Sequence, residues 1–416
     1  MLTQDQEKAK QELLGFLVSD TSKFFVLSGY AGVGKTFLIQ HVQEAYNTCI
    51  AKMNQITGCA KPKQWVYTAT TNKAVHSLKQ AVQGTEVRTI HSLLGLRVRN
   101  DYKTGQSFIS QTYGVDNVEN FIVVIDEASY VDYQLLHYIN KTISDTSKVI
   151  FMGDPTQLTP VGLNHCPVFK NTCEDKYTLT EVVRQSKQHP LTPLLDSFRQ
   201  YISGFTQQFP KVTTCNFIQV VDTPTFEQML LKEFNSDWHS GMSKVLAWRN
   251  KTVIKYNAFI FNALNNRTSF TIGDIVTNNH AVGLHLKTDT EVEIIGGCST
   301  QSLGYKGTNY LVELPSGITT GVFVPDKQSD YTRAKNKAVK EGQTKDVQVI
   351  MDTWADLRPT FASTVNKAQG STYDKVFIDL SDFKPMVHKD PIQLARLLYV
   401  AMSRARTSVI FTGDLC

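Results

Sequence analysis

Gly29-Tyr30-Ala31-Gly32-Val33-Gly34-Lys35-Thr36 closes the apolar run FFVLSGY (24–30) and opens a stretch with helical spacing at Phe37, Ile39, Val42 and Tyr46. It fits G-x-x-x-x-G-K-[ST] at every position. Strand, glycine-rich turn and helix in that order aim backbone N–H groups at a phosphate, at the positive end of the helix. Lys35 would neutralise the β- and γ-phosphates of a bound nucleotide, and the Thr36 hydroxyl would ligate Mg²⁺. The stretch predicts an α/β fold with its ligand at the carboxyl edge of a parallel sheet.

Three further runs extend the pattern: WVYTAT (65–70), FIVVIDEA (121–128) and KVIFMGDP (148–155). Each is almost continuously apolar, as parallel strands covered on both faces are, and each stops where polar residues begin. Asp126 and Glu127 end the second of them. Adjacent carboxylates at a strand end divide into an acid that orients Mg²⁺ (Asp126) and a base that positions water (Glu127). Gln157, in GDPTQL (153–158), is a neutral amide able to bond a γ-phosphate or water. A second series of strands follows at 215–221, 244–250, 374–380 and 408–414, so two α/β layers in series are expected.

Composition narrows the class without naming it. The 416 residues are 41% hydrophobic and 19% charged, enough apolar matter for several cores, and this excludes wholesale disorder. No apolar run approaches the ~20 residues that span a bilayer, and the first residues are polar, so neither a membrane protein nor a secretory signal is expected. The seven cysteines contain no Cys-x-x-Cys pair, which speaks against a disulfide framework or a zinc site and for a reducing, intracellular setting. Lys plus Arg exceeds Asp plus Glu by 43 − 38 = 5, which permits a nucleic-acid partner without requiring one.

Two stretches interrupt the α/β rhythm. Residues 95–113 read as a β-hairpin turning at 101–105, with Leu96, Val98 and Phe108 on an inner face and Tyr102 and Lys103 at the tip. Residues 271–350 carry short β-like runs separated by Gly and Pro and read as a small all-β insertion. Within it, 327–345 has six basic and two acidic residues and no strong apolar period, the mark of a solvated arm or of a DNA-facing patch. The domain expectation is a first α/β unit at 1–165, a second at 166–270 and 351–416, and the insertion at 271–350.

The ordered set GYAGVGKT (29–36), TATTNKA (68–74), TIHSLL (89–94), VIDEAS (124–129), GDPTQL (153–158), LTEVVRQ (179–185), STVNKAQGSTYD (363–374) and LLYVAMSRAR (397–406) resembles the superfamily 1 helicases. It is most similar to the RecD/Dda-like branch, in particular the compact phage Dda-type DNA helicases. LTQDQ (2–6) extends the resemblance to nearly the whole chain. The resemblance implies two RecA-like motor domains with ATP between them, Gln6 reading the adenine, Arg184 and Arg404 acting as arginine fingers, and Gly370 near the nucleotide. It implies single-stranded DNA lying across Thr70, Asn72, Lys73, Thr89 and His91 of the first motor and Thr364, Asn366 and Lys367 of the second. Asn366 stands where related helicases often carry His, and Ser403 replaces a common Thr. Trp248, Arg249 and Asn257 lie near a further DNA-contacting segment or in the core.

The activity implied is ATP-dependent, 5′ to 3′ translocation with separation of duplex or forked DNA by a monomeric motor. The hairpin would part the strands, Tyr102 stacking on a junction base, and the insertion would brace it. Replication or recombination proteins would be its partners. A DNA-bound remodelling or loading ATPase and an RNA-directed motor are the alternatives that the same motifs allow.

Overall fold

The computed structural model describes residues 2–30, 32–59, 61–82, 84–112, 114, 117–160, 162–171, 175–181, 190–283 and 286–415. The strands of the first half are β1 (Phe24–Gly29), β2 (Gln64–Ala69), β3 (Glu86–Thr89), β4 (Leu96–Asp101), β5 (Gln106–Gln111), β6 (Phe121–Asp126), β7 (Lys148–Gly153) and β8 (Lys176–Leu179). Six of them form one parallel sheet in the order β3-β2-β6-β7-β1-β8. Period-two geometry explains why these strands need apolar residues at consecutive positions. Ile122, Val124, Ile150 and Met152 enter a core on one face, and Val123, Ile125, Val149 and Phe151 enter another on the opposite face. The phosphate loop follows β1, Thr70 follows β2, Asp126 ends β6 and Asp154 follows β7, so one edge of the sheet gathers the polar groups.

The second half begins with β9 (Ile218–Val221) and β10 (Ser243–Ala247) and continues through β11 (Ile275–Asn278), β12 (Glu291–Ser302), β13 (Tyr305–Glu313) and β14 (Thr319–Pro325). It ends with β15 (Leu357–Pro359), β16 (Ala362–Thr364), β17 (Tyr373–Asp379) and β18 (Ala405–Thr412). A second parallel sheet has the order β16-β10-β17-β18-β9. It too is covered on both faces, Leu246, Val376 and Phe411 feeding one core and Val245, Phe377 and Ile410 the other. These are two RecA-like α/β units, as expected.

Three expectations need correction. β8 was placed in the second unit, but it pairs with β1, so the first sheet runs to Leu179 and its boundary lies beyond 165. The insertion is not all-β. Its antiparallel sheet, β14-β13-β12-β11-β15, carries the helices Ser329–Lys340 and Thr344–Thr353 and closes at Pro359, beyond the expected limit of 350. The basic stretch 327–345 is therefore mostly helix. Ala334 and Ala338, small residues four apart, are buried in its core with Trp354 and Phe323, and Tyr331 and Val339 pack partly buried against it; small and part-buried residues of this kind leave only a weak apolar period in the sequence.

The hairpin β4–β5 forms and turns where expected, but its faces and tip differ from expectation. Asp101 closes the turn by accepting from the backbone N–H groups of Lys103 (2.9 Å) and Thr104 (3.4 Å), and Gly105 takes φ +66°. Phe108 pairs with Arg99, which puts it on the arginine side, and it is 50% exposed. Tyr102 packs against the helical part of the insertion and donates to Asp352 Oδ2 at 2.9 Å, while Asn100 Nδ2 reaches Oδ1 at 3.2 Å. Its ring is built into an intramolecular contact and is not free to stack on a base.

Candidate active site

The phosphate loop is shaped by glycine where no other residue fits. Gly34 caps the helix Lys35–Thr57 in the left-handed region (φ 79°), and a Cβ there would lie 2.7 Å from Gln6 Nε2. Gln6 is buried and both ends of its amide are engaged. Oε1 accepts from the Thr3 N–H at 3.1 Å, completing a capping box for the helix Gln4–Val18, and Nε2 donates to the Val33 carbonyl at 2.9 Å. The residue expected to read adenine thus also braces the loop beneath it. Lys35 Nζ donates to the carbonyls of Gly29 (2.7 Å) and Tyr30 (3.0 Å). Gly29, Gly32, Val33 and Thr36 stand where the motif requires, and Ala31 lies outside the described residues.

Asp126 and Glu127 occupy the end of β6. Burial, with the Glu127 carboxylate beside it, pushes Asp126 above the ordinary carboxylate range, against the pull of Lys35. Its Oδ1 accepts from the Glu127 N–H at 2.8 Å. Glu127 has φ 53°, ψ 41°, a left-handed posture that costs a non-glycine residue about 1–3 kcal/mol and that turns its side chain away from the strand direction. Thr36 and Asp126 supply hard oxygen donors of the kind Mg²⁺ takes together with phosphate and water. A cation there would relieve the unfavourable charge on Asp126, so the donor set fits.

Gln157 is buried and bonded on several sides. Its Nε2 lies 3.4 Å from Asp154 Oδ2, and its Oε1 accepts from Gln369 Nε2 at 2.7 Å. Gln369 Nε2 also lies 3.2 Å from Glu127 Oε2 and 3.3 Å from the Ser129 hydroxyl. Gln369 belongs to the second unit, so one amide bridges the cleft to both catalytic candidates of the first. The sequence reading passed over it. The available signal was an amide inside STVNKAQGSTYD, on the segment expected to hold a strand. Gly370, expected near the nucleotide, instead backs onto Ala74, 3.7 Å from a would-be Cβ, because the chain turns left-handed there (φ 82°) and leaves Gln369 as the residue facing the carboxylates.

The arginine fingers stand differently. Arg184 lies outside the described residues. Arg404 is buried, and its hydrogen bonds run to Val400 O, Ser403 Oγ and Ser371 O, all in its own unit. Arg396, which sequence reading did not single out, crosses the cleft to the carbonyls of Pro155 (2.6 Å) and Gln157 (2.5 Å).

Of the strand-gripping candidates, Lys73 and Lys367 come together. Lys73 Nζ lies 3.4 Å from the Lys367 carbonyl, and both line a groove with Lys244, Asn257 and Thr364. Lys367 is paired with Asp289 (2.8 Å) and Asn279 (2.6 Å). Lys244 was missed because it sits inside an apolar strand; burial draws its ammonium down to about 8. The hydroxyls of Thr89 and Thr364 cap short helices by accepting from Ser92 and Lys367 N–H groups. Asn72 is exposed and begins the helix Asn72–Ala81. Thr70 and His91 line a cavity of about 200 Å³ beside Tyr130, and burial lowers the His91 pKa. Asn366 offers its carbonyl to the Tyr130 hydroxyl at 2.9 Å. Arg249 and the Trp248 N–H are tied to Asp382, and Asn257 bonds the backbone of Ala362, so these three serve the second unit's own architecture.

Comparison with known proteins agrees with this layout. Residues 1–200 match the family model described as AAA domain, and residues 359–412 match that of the UvrD-like helicase C-terminal domain. Two RecA-like units facing each other across a phosphate loop, with these matches, are the layout of the superfamily 1 helicases, ATP-hydrolysing enzymes that the chain resembles. Within that class the chain is similar to the Dda-type helicases in sequence and to the Pif1 helicases in fold. It is 23% identical to the ATP-dependent DNA helicase dda of Enterobacteria phage T4 over 99% of both chains. It is 21% identical to an uncharacterised protein of Acanthamoeba polyphaga mimivirus, covering 97% of this chain and 98% of that one.

Among solved structures, Pif1 helicase from Bacteroides in complex with ADP-AlF3 and ssDNA has a TM-score of 0.50 at 18% identity, covering 100% of this chain and 93% of that one. A Pif1 structure describing DNA unwinding at forked dsDNA by two coordinating helicases gives 0.51 at 18%, covering 99% and 92%. These two likenesses bear on the fold. No helix among the described residues is long and apolar enough to cross a membrane.

Proposed function

We propose that the protein is an ATP-dependent DNA helicase that steps along single-stranded DNA, 5′ to 3′, and separates duplex or forked DNA. The observation that carries this reading is the segment Asn366–Gln369. At one end Gln369 bonds Glu127 and Gln157 of the nucleotide site; within it Lys367 lines the groove with Lys73. A change at the γ-phosphate reaches the strand-gripping groups through a few bonded residues, which is what a motor requires.

In this reading Lys35 neutralises phosphate charge as the transferred group separates, and Glu127 positions and deprotonates the attacking water. Thr36 and Asp126 would hold Mg²⁺, which when bound would neutralise phosphate charge. Arg184 and Arg404 complete the site on closure, a contribution of about 10³–10⁵ in rate for such arginines. Gln157 and Gln369 report the loss of phosphate. Thr70, Asn72, Lys73, Thr89, His91, Thr364, Asn366 and Lys367 hold the DNA backbone without reading bases. The hairpin acts as a braced wedge, held by Asp352, with its exposed Val98 and Phe108 toward the fork. Cys49, Cys59, Cys166, Cys215 and Cys298 are free thiols, which suits a reducing host cytoplasm.

The test is unwinding of duplexes with a 5′ or a 3′ tail, each with a DNA or RNA tracking strand. The expected result is ATP-dependent unwinding of the 5′-tailed DNA substrate only. Equal ATPase with no unwinding on any substrate would favour a remodelling factor, and RNA preference would overturn the DNA assignment.

A further inference from the structure

Arg199 lies on the helix Thr192–Ile202, whose Leu195 and Phe198 are built into the core of the second motor. Its guanidinium carbon is 4.3 Å from the ring centroid of Tyr30, in the phosphate loop of the first motor, and 5.3 Å from that of Tyr399. Nε donates to the Tyr399 hydroxyl at 3.1 Å, and that hydroxyl donates to Asp154 Oδ2 at 2.9 Å. Asp154 is fully buried and fastens the turn that presents Gln157, accepting from the Thr156 N–H at 2.9 Å and from Gln157 Nε2 at 3.4 Å. A bonded chain therefore runs from the phosphate loop through two side chains of the second motor and back into the first.

The charge in this chain is sheltered. Arg199 is 6% exposed, and its acidic neighbour Asp196, bonded to Nη1, keeps a side chain 49% exposed. Two tyrosine faces and the Tyr399 hydroxyl thus supply much of what water would otherwise provide. Such shelter lasts only while the motors are together, because separation withdraws Tyr30 and Asp154 and returns the guanidinium to water. Opening of the cleft would break the contact, so it can be made or broken as switching contacts are. It also requires a planar fork: an ammonium could lie over Tyr30, but it could not stack flat there while donating sideways to Tyr399.

We propose that Arg199 is a positioning residue that ties closure of the cleft to the posture of the phosphate loop, reading the loop through Tyr30 and the Gln157 turn through Tyr399 and Asp154. Its action is on the two motor surfaces and not on the nucleotide itself. The proposal rests on the DNA-motor reading, since closure is the step that a bound strand promotes.

Steady-state ATPase of the full chain, with and without an oligothymidylate, tests it for wild type, Arg199→Lys, Arg199→Gln, Tyr399→Phe and the double variant Arg199→Gln/Tyr399→Phe, with thermal melting of each. The expected signature is a DNA-stimulated kcat reduced at least tenfold in every variant. KM for ATP and the DNA-free rate stay within twofold and the melting temperature is unchanged, and the double variant falls no further than Arg199→Gln. A KM that rises as kcat falls would overturn the proposal, because the guanidinium would then touch the nucleotide. So would a joint fall of both rates with a lower melting temperature, the mark of a structural role, or wild-type behaviour of Arg199→Lys, the mark of charge alone. Wild-type turnover that DNA does not stimulate would overturn the DNA reading itself, a result distinguishable from normal stimulation with unaffected variants, which removes Arg199 alone.

Discussion

In the proposed function Lys35 and Glu127 carry the chemistry, and their surroundings set different expectations for each. Lys35 sits against the loop carbonyls as the loop's fixed cation. Its replacement by Ala removes charge stabilisation that grows toward the transition state, so ATPase should drop below about a hundredth of wild type while nucleotide-free DNA binding persists. Glu127→Gln keeps the left-handed turn and the bond distance to Gln369 but cannot accept a proton. ATP should bind, turnover should stall, and a Mg²⁺ titration should separate it from Asp126→Asn, whose defect is metal affinity.

Lys244 gives a prediction of another kind. Burial draws its folded pKa down to about 8, below the ordinary lysine value of 10.5, so the folded state binds fewer protons between those values. Stability contributed by this site must therefore rise with pH from about 8 to about 10. The melting temperature of wild type relative to Lys244→Met should climb across that window and be flat below it. A difference constant from pH 7 to 10 would show that the amine is not held neutral in the fold.

At the scale of elements, the hairpin and the insertion act together. Tyr102→Phe removes the hydroxyl bonded to Asp352 and leaves the ring packed, so hairpin anchoring should weaken without loss of fold. Unwinding should fall severalfold, with DNA-stimulated ATPase within twofold of wild type, in a comparison of the two rates on one forked substrate. Local turn chemistry made this hairpin legible: Asp101 and Gly105 announce the turn. Its docking was not legible, because Asp352 lies 250 residues away in sequence. The same distinction explains the other departures. The phosphate loop was readable since its geometry is set by eight adjacent residues, whereas Gln369 acquires its meaning from Gln157 and Glu127, 212 and 242 residues distant. β8 is only four residues long and alternates in burial, too short a signal to assign to one sheet or the other. Arg199 reads in sequence as an ordinary polar residue on an amphipathic helix, and only the opposing motor gives it two aromatic faces.

For the molecule as a whole, the cleft is bonded at many points. Gln369, Arg396, Tyr399 and Arg199 all cross from the second motor to the turn after β7 or to the loop after β1, and Tyr130 and Lys73 cross the other way to carbonyls of Asn366 and Lys367. Those two carbonyls belong to the segment that carries Lys367, which lines the groove with Lys73 and is proposed to hold the strand. Nucleotide state and grip on the strand should be linked quantities, and reciprocity requires DNA to change nucleotide affinity by the same factor. The most direct measurement is the dissociation constant of a labelled oligothymidylate, by fluorescence anisotropy, with and without a non-hydrolysable ATP analogue, for wild type and Gln369→Ala at one salt concentration. A severalfold nucleotide-dependent change is expected in wild type and its near-abolition in Gln369→Ala, with nucleotide-free DNA affinity unchanged. An equal nucleotide-dependent change in both proteins, or none in wild type, would contradict that expectation.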